Sequence, residues 1–95
     1  MREREIEKHL IDEVKRRGGL CEKWISGTAG WPDRLVLLPD GMCAFVEVKA
    51  PNKKPRPLQK ARHRLLKKLG FKVYVLDGPE QIEGILDGIE GGDAT

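Results

Sequence analysis

The stretch GWPDRLVLLPDGMCAFVEVK, residues Gly30–Lys49, decides the fold. Two apolar runs within it, Asp33–Leu38 and Met42–Ala50, are rich in Val, Leu and Phe and predict two β-strands. The segment Pro39-Asp40-Gly41 between them is typical of a three-residue hairpin loop, which we expect to be a type I turn closed by a glycine bulge. The stretch therefore predicts two neighbouring antiparallel strands.

The length of this loop also predicts how the two strands pair. Counting back from the loop, Leu35 faces Phe45 and Asp33 faces Glu47. Side chains alternate along a strand, so Lys49 shares the face of Glu47 and Asp33. Directly opposed residues have Cβ atoms roughly 5 Å apart, and like charges at that separation repel each other. Mg²⁺, by contrast, binds through one or two carboxylates, water and substrate phosphate. We therefore expect a metal site here, against the alternative of a turn aspartate beside an exposed strand face.

Helix and strand patterns continue on both sides of this pair. The remaining predicted elements are a helix at Glu3–Arg17, a strand at Leu20–Ser26, a basic proline-rich linker at Pro51–Pro57, a helix at Leu58–Leu69, a strand at Lys72–Leu76 and a helix at Pro79–Ile89. The order αβββαβα predicts an α/β fold with a mixed four-stranded sheet flanked by helices. We expect one domain at residues 1–90 and a frayed tail at 91–95. The apolar residues of the second helix share one face: Leu58, Ala61, Leu65 and Leu69.

The composition of the chain argues against a membrane protein, a disulfide-bonded protein and a zinc site. The chain is 39% hydrophobic and 35% charged, and no apolar run approaches the roughly 18 residues of a membrane span. Without a signal-peptide pattern we expect a cytoplasmic protein in which Cys21 and Cys43 are buried free thiols. His9 and His63 lie far from both cysteines and do not have zinc-site spacing.

The segment Lys49–Lys72 is basic and has no acid, which favours binding of a polyanion such as nucleic acid over a solvated helix face.

A further acid is expected from the first helix. Its apolar residues Ile6, Leu10 and Val14 define a buried stripe, and Glu7 falls inside the same arc. Glu3 falls inside this arc one turn earlier but lies close to the end of the helix, where fraying is expected. We favour Glu7 as the third acid of the site, and the choice between Glu7 and Glu3 stays open.

Several of these residues together resemble a known family of nucleases. Asp33, followed fourteen residues later by Glu47-Val48-Lys49, matches the PD-(D/E)xK nuclease signature. A longer set of residues, from position 3 to about position 77, resembles the virus-type replication-repair nuclease (VRR-NUC) domain. That set comprises Glu3-x-x-Ile6-Glu7-x-x-Leu10, Gly18-Gly19, Lys23, Gly30-x-Pro32-Asp33-Arg34, Phe45–Ala50 and Leu58-Gln59.

The resemblance implies a function as well as a restriction-endonuclease-like core. Members of this family are DNA endonucleases that depend on Mg²⁺ or Mn²⁺ and act on structured DNA in DNA repair. The chain is similar to the stand-alone phage or bacterial type, which is homodimeric and cuts four-way (Holliday) junctions. We therefore expect a homodimer in the cytoplasm of a bacterial or phage-infected cell.

Each candidate catalytic residue has an expected role in hydrolysing a phosphodiester. We expect Asp33 and Glu47 to bind the metal, with the Val48 carbonyl as a further ligand and Glu7 on a second metal or an inner-shell water. Lys49 would orient the attacking water or stabilise the charged phosphate. Gln59 would hold the water or a phosphate, or else be an ordinary glutamine at a helix N-terminus.

Cations near this face are the candidate DNA contacts, and Trp31 is a candidate for stacking on a base or filling the core. The expected phosphate-binding residues are Lys23, Lys53, Lys54, Arg56 and Lys60.

Two other functions are compatible with the same predicted fold. A non-catalytic DNA-binding module is expected to lack at least one of Asp33, Glu47 and Lys49, and all three are present. An RNA-processing nuclease is the second alternative.

Overall fold

Three helices and one four-stranded sheet make up the described part of the chain, residues 1–91 of a computed structural model. In chain order the elements are α1 (Glu3–Arg16), β1 (Leu20–Lys23), β2 (Arg34–Leu37), β3 (Cys43–Val48), α2 (Pro57–Lys68), β4 (Val73–Leu76) and α3 (Ile82–Ile89). This order confirms the predicted αβββαβα arrangement. Strand β1 is three residues shorter than the predicted Leu20–Ser26, and Pro79–Gln81 forms a separate 3-10 turn before α3. The predicted frayed tail lies outside the described residues from residue 92 on.

The sheet is mixed, as predicted, with the strands in chain order β1-β2-β3-β4. The pairs β1–β2 and β2–β3 are antiparallel, while β3–β4 is parallel and is connected through α2. Leu35 pairs with Phe45 and Leu37 with Cys43, which confirms the predicted register. Continuing this register by one residue beyond the Arg34–Val46 pair places Asp33 opposite Glu47, whose pKa the charge of Asp33 raises.

The loop between β2 and β3 keeps the predicted length but has a different conformation. Asp40 has φ 68° and ψ 23°, and Gly41 has φ 76°. A type I turn needs φ near about −90° at its second central residue, so the predicted type I turn is wrong. Aspartate tolerates this left-handed conformation because its short side chain is polar and unbranched. The strand register is preserved because the loop still spans three residues.

Alternate residues of the strands separate the two faces of the sheet. Val36, Ala44, Val46 and Val48 belong to the main core, which α1 and α3 cover with buried apolar side chains: Ile6, Leu10, Val14, Ile82, Ile85, Leu86 and Ile89. On the other face, Phe45 packs with Leu66 of α2 and Val73, and with the partly buried Trp31 and Leu35. Glu47, two residues after Phe45, points to this second face. The strand that carries the candidate site is therefore covered on both sides.

The orientation of α2 differs from what its apolar pattern suggests. Leu58, Leu65 and Leu69 are 57%, 46% and 65% exposed, whereas the residues that α2 buries are His63 and Leu66. The helix therefore has a leucine stripe toward solvent and a partly polar face toward the sheet. That buried polar face carries the residues that complete the candidate site.

The two cysteines lie on opposite faces of the sheet. Cys21 pairs with Val36 and Cys43 with Leu37, and consecutive residues of β2 point to opposite faces. Both thiols are free, as predicted, but Cys43 is exposed rather than buried. Burial raises the pKa of the Cys21 thiol to about 11, which keeps it protonated and unreactive.

The helices of the described residues are short. The longest helix, α1, has 14 residues. Within residues 1–91, no helix combines the length and the apolar character that crossing a membrane requires.

Candidate active site

Asp33 is fixed between two strands just before β2 begins. Its backbone carbonyl accepts a hydrogen bond from the amide of Trp24 at 2.8 Å. Its carboxylate oxygen Oδ2 accepts a second hydrogen bond from the backbone amide of Val48 at 2.9 Å. These two contacts hold the side chain against β3, directly beside Glu47. The partly buried aspartate therefore presents its other carboxylate oxygen from a fixed position.

Glu47 is the most deeply buried acid of this region, at 1% exposure. Its Oε2 lies 3.1 Å from Nζ of Lys49 and accepts a hydrogen bond from Nε2 of Gln59 at 3.0 Å. Burial, and then the charge of Asp33, raise the pKa of Glu47 to about 7, although Lys49 opposes this shift. Two acids that repel each other beside a lysine form a site that a cation would stabilise.

Gln59 joins the start of α2 to this carboxylate. Its Oε1 accepts a hydrogen bond from the backbone amide of Arg56 at 2.8 Å, which satisfies one of the free donors at the helix N-terminus. Its Nε2 donates to Glu47, as described above. The helix N-terminal role considered for Gln59 from the sequence is therefore observed, and its role toward the water or a phosphate stays a prediction.

His63 is a site residue that the sequence reasoning missed. It lies one helical turn after Gln59, is 6% exposed, and places Nε2 at 3.7 Å from Oε1 of Glu47. Burial lowers the pKa of His63, and the charges of Lys67 and Lys49 lower it further, although Asp33 opposes this shift; these surroundings favour the neutral imidazole. The four-residue spacing from Gln59 to His63 was the available signal, because residues i and i+4 share a helix face.

Glu7 is not brought to the Asp33–Glu47 pair. Its Oε2 accepts a hydrogen bond from Nε of Arg34 at 2.7 Å, and Arg34 also donates to the Cys21 carbonyl at 3.2 Å. Arg34 pairs with Val46, so its side chain points to the α1 face and not to the face of Glu47. Across residues 1–91, no group of three or more Asp, Glu, His or Cys side chains is poised to hold a metal. The role of Glu7, or of the exposed Glu3, as the third acid of the site stays a prediction.

Comparisons with known proteins decide the family. No family model matches the sequence. A solved structure described as a VRR_NUC domain superimposes with a TM-score of 0.84, at 36% sequence identity, covering 90% of this chain and 94% of that one. A protein of Acyrthosiphon pisum secondary endosymbiont phage 1, described as "Putative nuclease p44", is 51% identical over 81 residues, which is 84% of this chain and 87% of that protein.

The chain belongs to the VRR-NUC family of nucleases. The predicted family and its mixed sheet flanked by three helices are thereby confirmed. The protein is accordingly a nuclease, a hydrolase that acts on nucleic acid. In this VRR-NUC domain, five residues converge between the sheet and α2: Asp33, Glu47, Lys49, Gln59 and His63.

The candidate phosphate contacts of the VRR-NUC domain lie in three places. Lys53, Lys54 and Arg56 are exposed in the segment that leads into α2. Lys60 lines a surface pocket of about 320 Å³ that is also lined by Pro55, His63, Arg64, Lys67 and Val75. Among the described residues no acid lines this pocket, which lies next to Glu47 because Val75 pairs with Glu47.

Lys23 lies elsewhere on the VRR-NUC fold. It pairs with Arg34 across β1 and β2, so its exposed side chain is on the α1 face of the sheet. The structure therefore does not bring it to Asp33 and Glu47, and its contact with DNA stays a prediction.

Trp31 packs in an aromatic cluster at the base of the site. Its ring centroid is 5.8 Å from that of Trp24 and 5.7 Å from that of Phe45. The guanidinium carbon of Arg62 lies 5.5 Å from the ring centroid, a cation–π distance. These contacts give Trp31 a packing role, and stacking on a base remains a prediction.

Proposed function

We propose that this VRR-NUC nuclease is a divalent-metal-dependent DNA endonuclease that cuts structured DNA. The observation that carries the proposal is the buried Glu47, placed opposite Asp33 and 3.1 Å from Lys49. A buried carboxylate beside a second one is unfavourable for folding unless a cation or proton compensates the charge. Two neighbouring carboxylates that destabilise the folded protein are typical of functional sites, where the reaction requires them.

The donor set fits Mg²⁺ or Mn²⁺. Asp33 and Glu47 supply hard carboxylate oxygens, and the backbone carbonyl of Val48 is the proposed further ligand. Mutual repulsion of the two acids contributes to the raised pKa of Glu47, and a divalent cation would relieve it. When bound, such a metal neutralises charge on the phosphate and activates water for attack on phosphorus. Glu7 would join this set only by leaving its hydrogen bond with Arg34.

The remaining site residues act on the phosphate and on the water. The Lys49 ammonium is held in place by Oε2 of Glu47 and would stabilise the negative charge that develops on the phosphate. The side-chain amide of Gln59 is held at both ends and would orient the water or a phosphate oxygen. Both side chains are therefore in position before the substrate binds, so little conformational entropy is lost in ordering them.

Cations beside the site are proposed to hold the DNA backbone. Lys53, Lys54 and Arg56 precede α2, and Lys60, Arg64 and Lys67 line the basic pocket next to Glu47. Arg64 and Lys67 were not assigned to DNA from the sequence. Phosphate contacts of this kind give affinity without sequence preference, as suits an enzyme that recognises the shape of DNA.

Four-way junctions and a homodimer are the finer part of the proposal. A single domain of about 90 residues covers little DNA, and symmetric cutting of a two-fold junction needs two active sites. The exposed leucine stripe of α2, Leu58, Leu65 and Leu69, offers apolar surface for a second copy of the chain. Such an enzyme would process branched intermediates of DNA repair in the cytoplasm of a bacterial or phage-infected cell.

The proposal is tested with labelled linear, flapped and four-way DNAs and an RNA junction of the same sequence. Each is incubated with the protein in Mg²⁺, in Mn²⁺ or in EDTA. We expect metal-dependent cutting of the four-way DNA and little cutting of the linear duplex. Preferred cutting of the RNA junction would instead identify an RNA-processing nuclease. Cutting in EDTA would contradict metal dependence, and no cutting of any substrate would contradict the proposed activity.

A further inference from the structure

Two buried polar atoms face each other inside the candidate site. Oε1 of Glu47 and Nε2 of His63 are 3.7 Å apart, too far for a hydrogen bond. Within the described residues, both lack a hydrogen-bond partner, and the remaining buried side-chain atom in this state is Nε1 of Trp31. Buried polar atoms without partners are unfavourable and rare in native proteins, so a facing pair calls for a physical explanation.

The two oxygens of Glu47 have different surroundings. Oε2 is already engaged by Lys49 and Gln59. Oε1 faces His63, whose side chain is held in place because α2 packs Leu66 against Phe45. A neutral imidazole carries a proton on one of its two nitrogens and can donate from that nitrogen. Moving Nε2 closer by about 0.8 Å would bring it from 3.7 Å to an ordinary hydrogen-bond distance of about 2.9 Å.

We propose that His63 is a positioning residue for Glu47, donating a hydrogen bond from Nε2 to Oε1. This inference rests on the proposed function and specifies a further residue of that same site. A carboxylate group is planar, so fixing Oε1 from within the protein fixes the direction in which Oε2 points. His63 thereby keeps Oε2 directed toward Lys49 and Gln59 and holds the carboxylate of Glu47 in one orientation. Outer contacts of this kind orient metal ligands, and their loss costs about 10–100-fold in metal affinity or activity.

The position of the ring proton tests the contact without any activity measurement. The chain has two histidines, His63 and the exposed His9. A long-range ¹H–¹⁵N NMR spectrum of the metal-free protein shows which nitrogen of His63 carries the proton; it is recorded well above pH 7, so that Glu47 is ionised, and assigned with a His9→Gln variant. We expect the proton on Nε2. A proton on Nδ1 would overturn the proposal, because Nε2 could then only accept a hydrogen bond.

Two substitutions separate positioning from packing. His63→Gln keeps an amide N–H near the place of Nε2, whereas His63→Leu fills the space without a donor, and His9→Leu is the matched control. We expect all three variants to melt cooperatively. His63→Leu should lose most of the Mg²⁺-induced rise in melting temperature and about 10–100-fold in kcat. We expect its KM for DNA to change little, and His63→Gln to recover much of both losses.

The outcomes also separate this inference from the proposed function. If wild type cuts DNA and His63→Leu equals it in kcat and in Mg²⁺-induced stabilisation, His63 is packing only. The same conclusion follows if His63→Gln is no better than His63→Leu. If the wild-type protein cuts none of the substrates, the proposed function fails while the ring-proton measurement still decides whether His63 donates to Glu47. Should His63→Leu fail to fold, the spectrum and His63→Gln keep the test complete.

Discussion

The side-chain amide of Gln59 donates to Oε2 of Glu47 at 3.0 Å, so the first turn of α2 is joined to a carboxylate buried in β3. The same side chain accepts a hydrogen bond from the backbone amide of Arg56 at 2.8 Å. The start of α2 and the candidate site are thus joined through one residue. A change at Gln59 should affect both stability and chemistry, and the two effects can be separated.

Gln59→Glu should keep the hydrogen bond with the Arg56 amide and lose the one with Glu47. A glutamate still accepts from Arg56, but it cannot donate to Glu47 and adds a third negative charge to the site. We expect cleavage to fall by at least about ten-fold, as for other outer-shell contacts. Gln59→Ala should lose both contacts and also lower the free energy of unfolding, by about 1 kcal/mol. Gln81→Ala is the matched control, because Gln81 accepts from the Asp77 amide far from the site, and it should change stability alone.

The raised pKa of Glu47 predicts how the stability of the metal-free protein depends on pH. Between the ordinary pKa of 4.5 and the folded-state value of about 7, the folded protein keeps a proton that the unfolded chain has released. The stability that protonated Glu47 contributes to the folded protein is therefore lost as the pH rises from 4.5 to about 7. The lowered pKa of His63 acts in the opposite direction, below its ordinary value of 6.5. Denaturant unfolding in EDTA should show wild type losing stability relative to Glu47→Gln as pH rises, and a constant difference would contradict the assignment.

The basic residues before and along α2 should control DNA affinity through salt. Replacing Lys53, Lys54 and Arg56 together by Ala should weaken binding and reduce the slope of log K against log salt by about one unit per lost phosphate contact. A matched triple change on α1, at Lys8, Lys15 and Arg16, should leave the slope unaltered because that helix covers the other face of the sheet. Equal effects of the two triple variants would mean that binding follows net charge and not this surface.

The leucine stripe of α2 should carry the proposed homodimer. Leu65 is 46% exposed, so Leu65→Glu removes apolar surface without opening the core. We expect sedimentation at micromolar concentration to show a dimer for wild type and a monomer for this variant. A wild-type monomer with and without DNA would contradict the dimer.

The strand register followed from the sequence because it depends on local chemistry. A three-residue loop fixes which residues of β2 and β3 face each other, whatever conformation Asp40 adopts. The convergence of Asp33, Glu47 and Lys49 on one face then follows from strand alternation. These are short-range relationships, and they supplied the centre of the site.

The orientation of α2 and the position of Glu7 did not follow, because they depend on contacts between distant segments. A helical wheel identified the leucines as the apolar face, but Gln59 and His63 turn toward the sheet to meet a buried charge. Likewise, the contact of Glu7 with Arg34 spans 27 residues and has no periodic signal. The apolar pattern of α2 predicts that its leucines face the sheet, but packing against the buried Glu47 turns Gln59 and His63 toward the sheet instead.

We propose that Asp33 and Glu47 form the metal site, whereas Asp40, in the second Pro-Asp pair, only shapes a turn. Asn retains the acceptor that Asp33 offers to the Val48 amide, so Asp33→Asn should fold. Relief of repulsion should make the metal-free variant more stable, by about 0.2–1 kcal/mol.

The most direct measurement is the rate of four-way junction cleavage in Mg²⁺ by wild type, Asp33→Asn and Asp40→Asn. We expect Asp33→Asn to be inactive and Asp40→Asn to cut at nearly the wild-type rate. Full activity of Asp33→Asn, or loss of activity in Asp40→Asn alone, would contradict the assignment of Asp33 to the metal site.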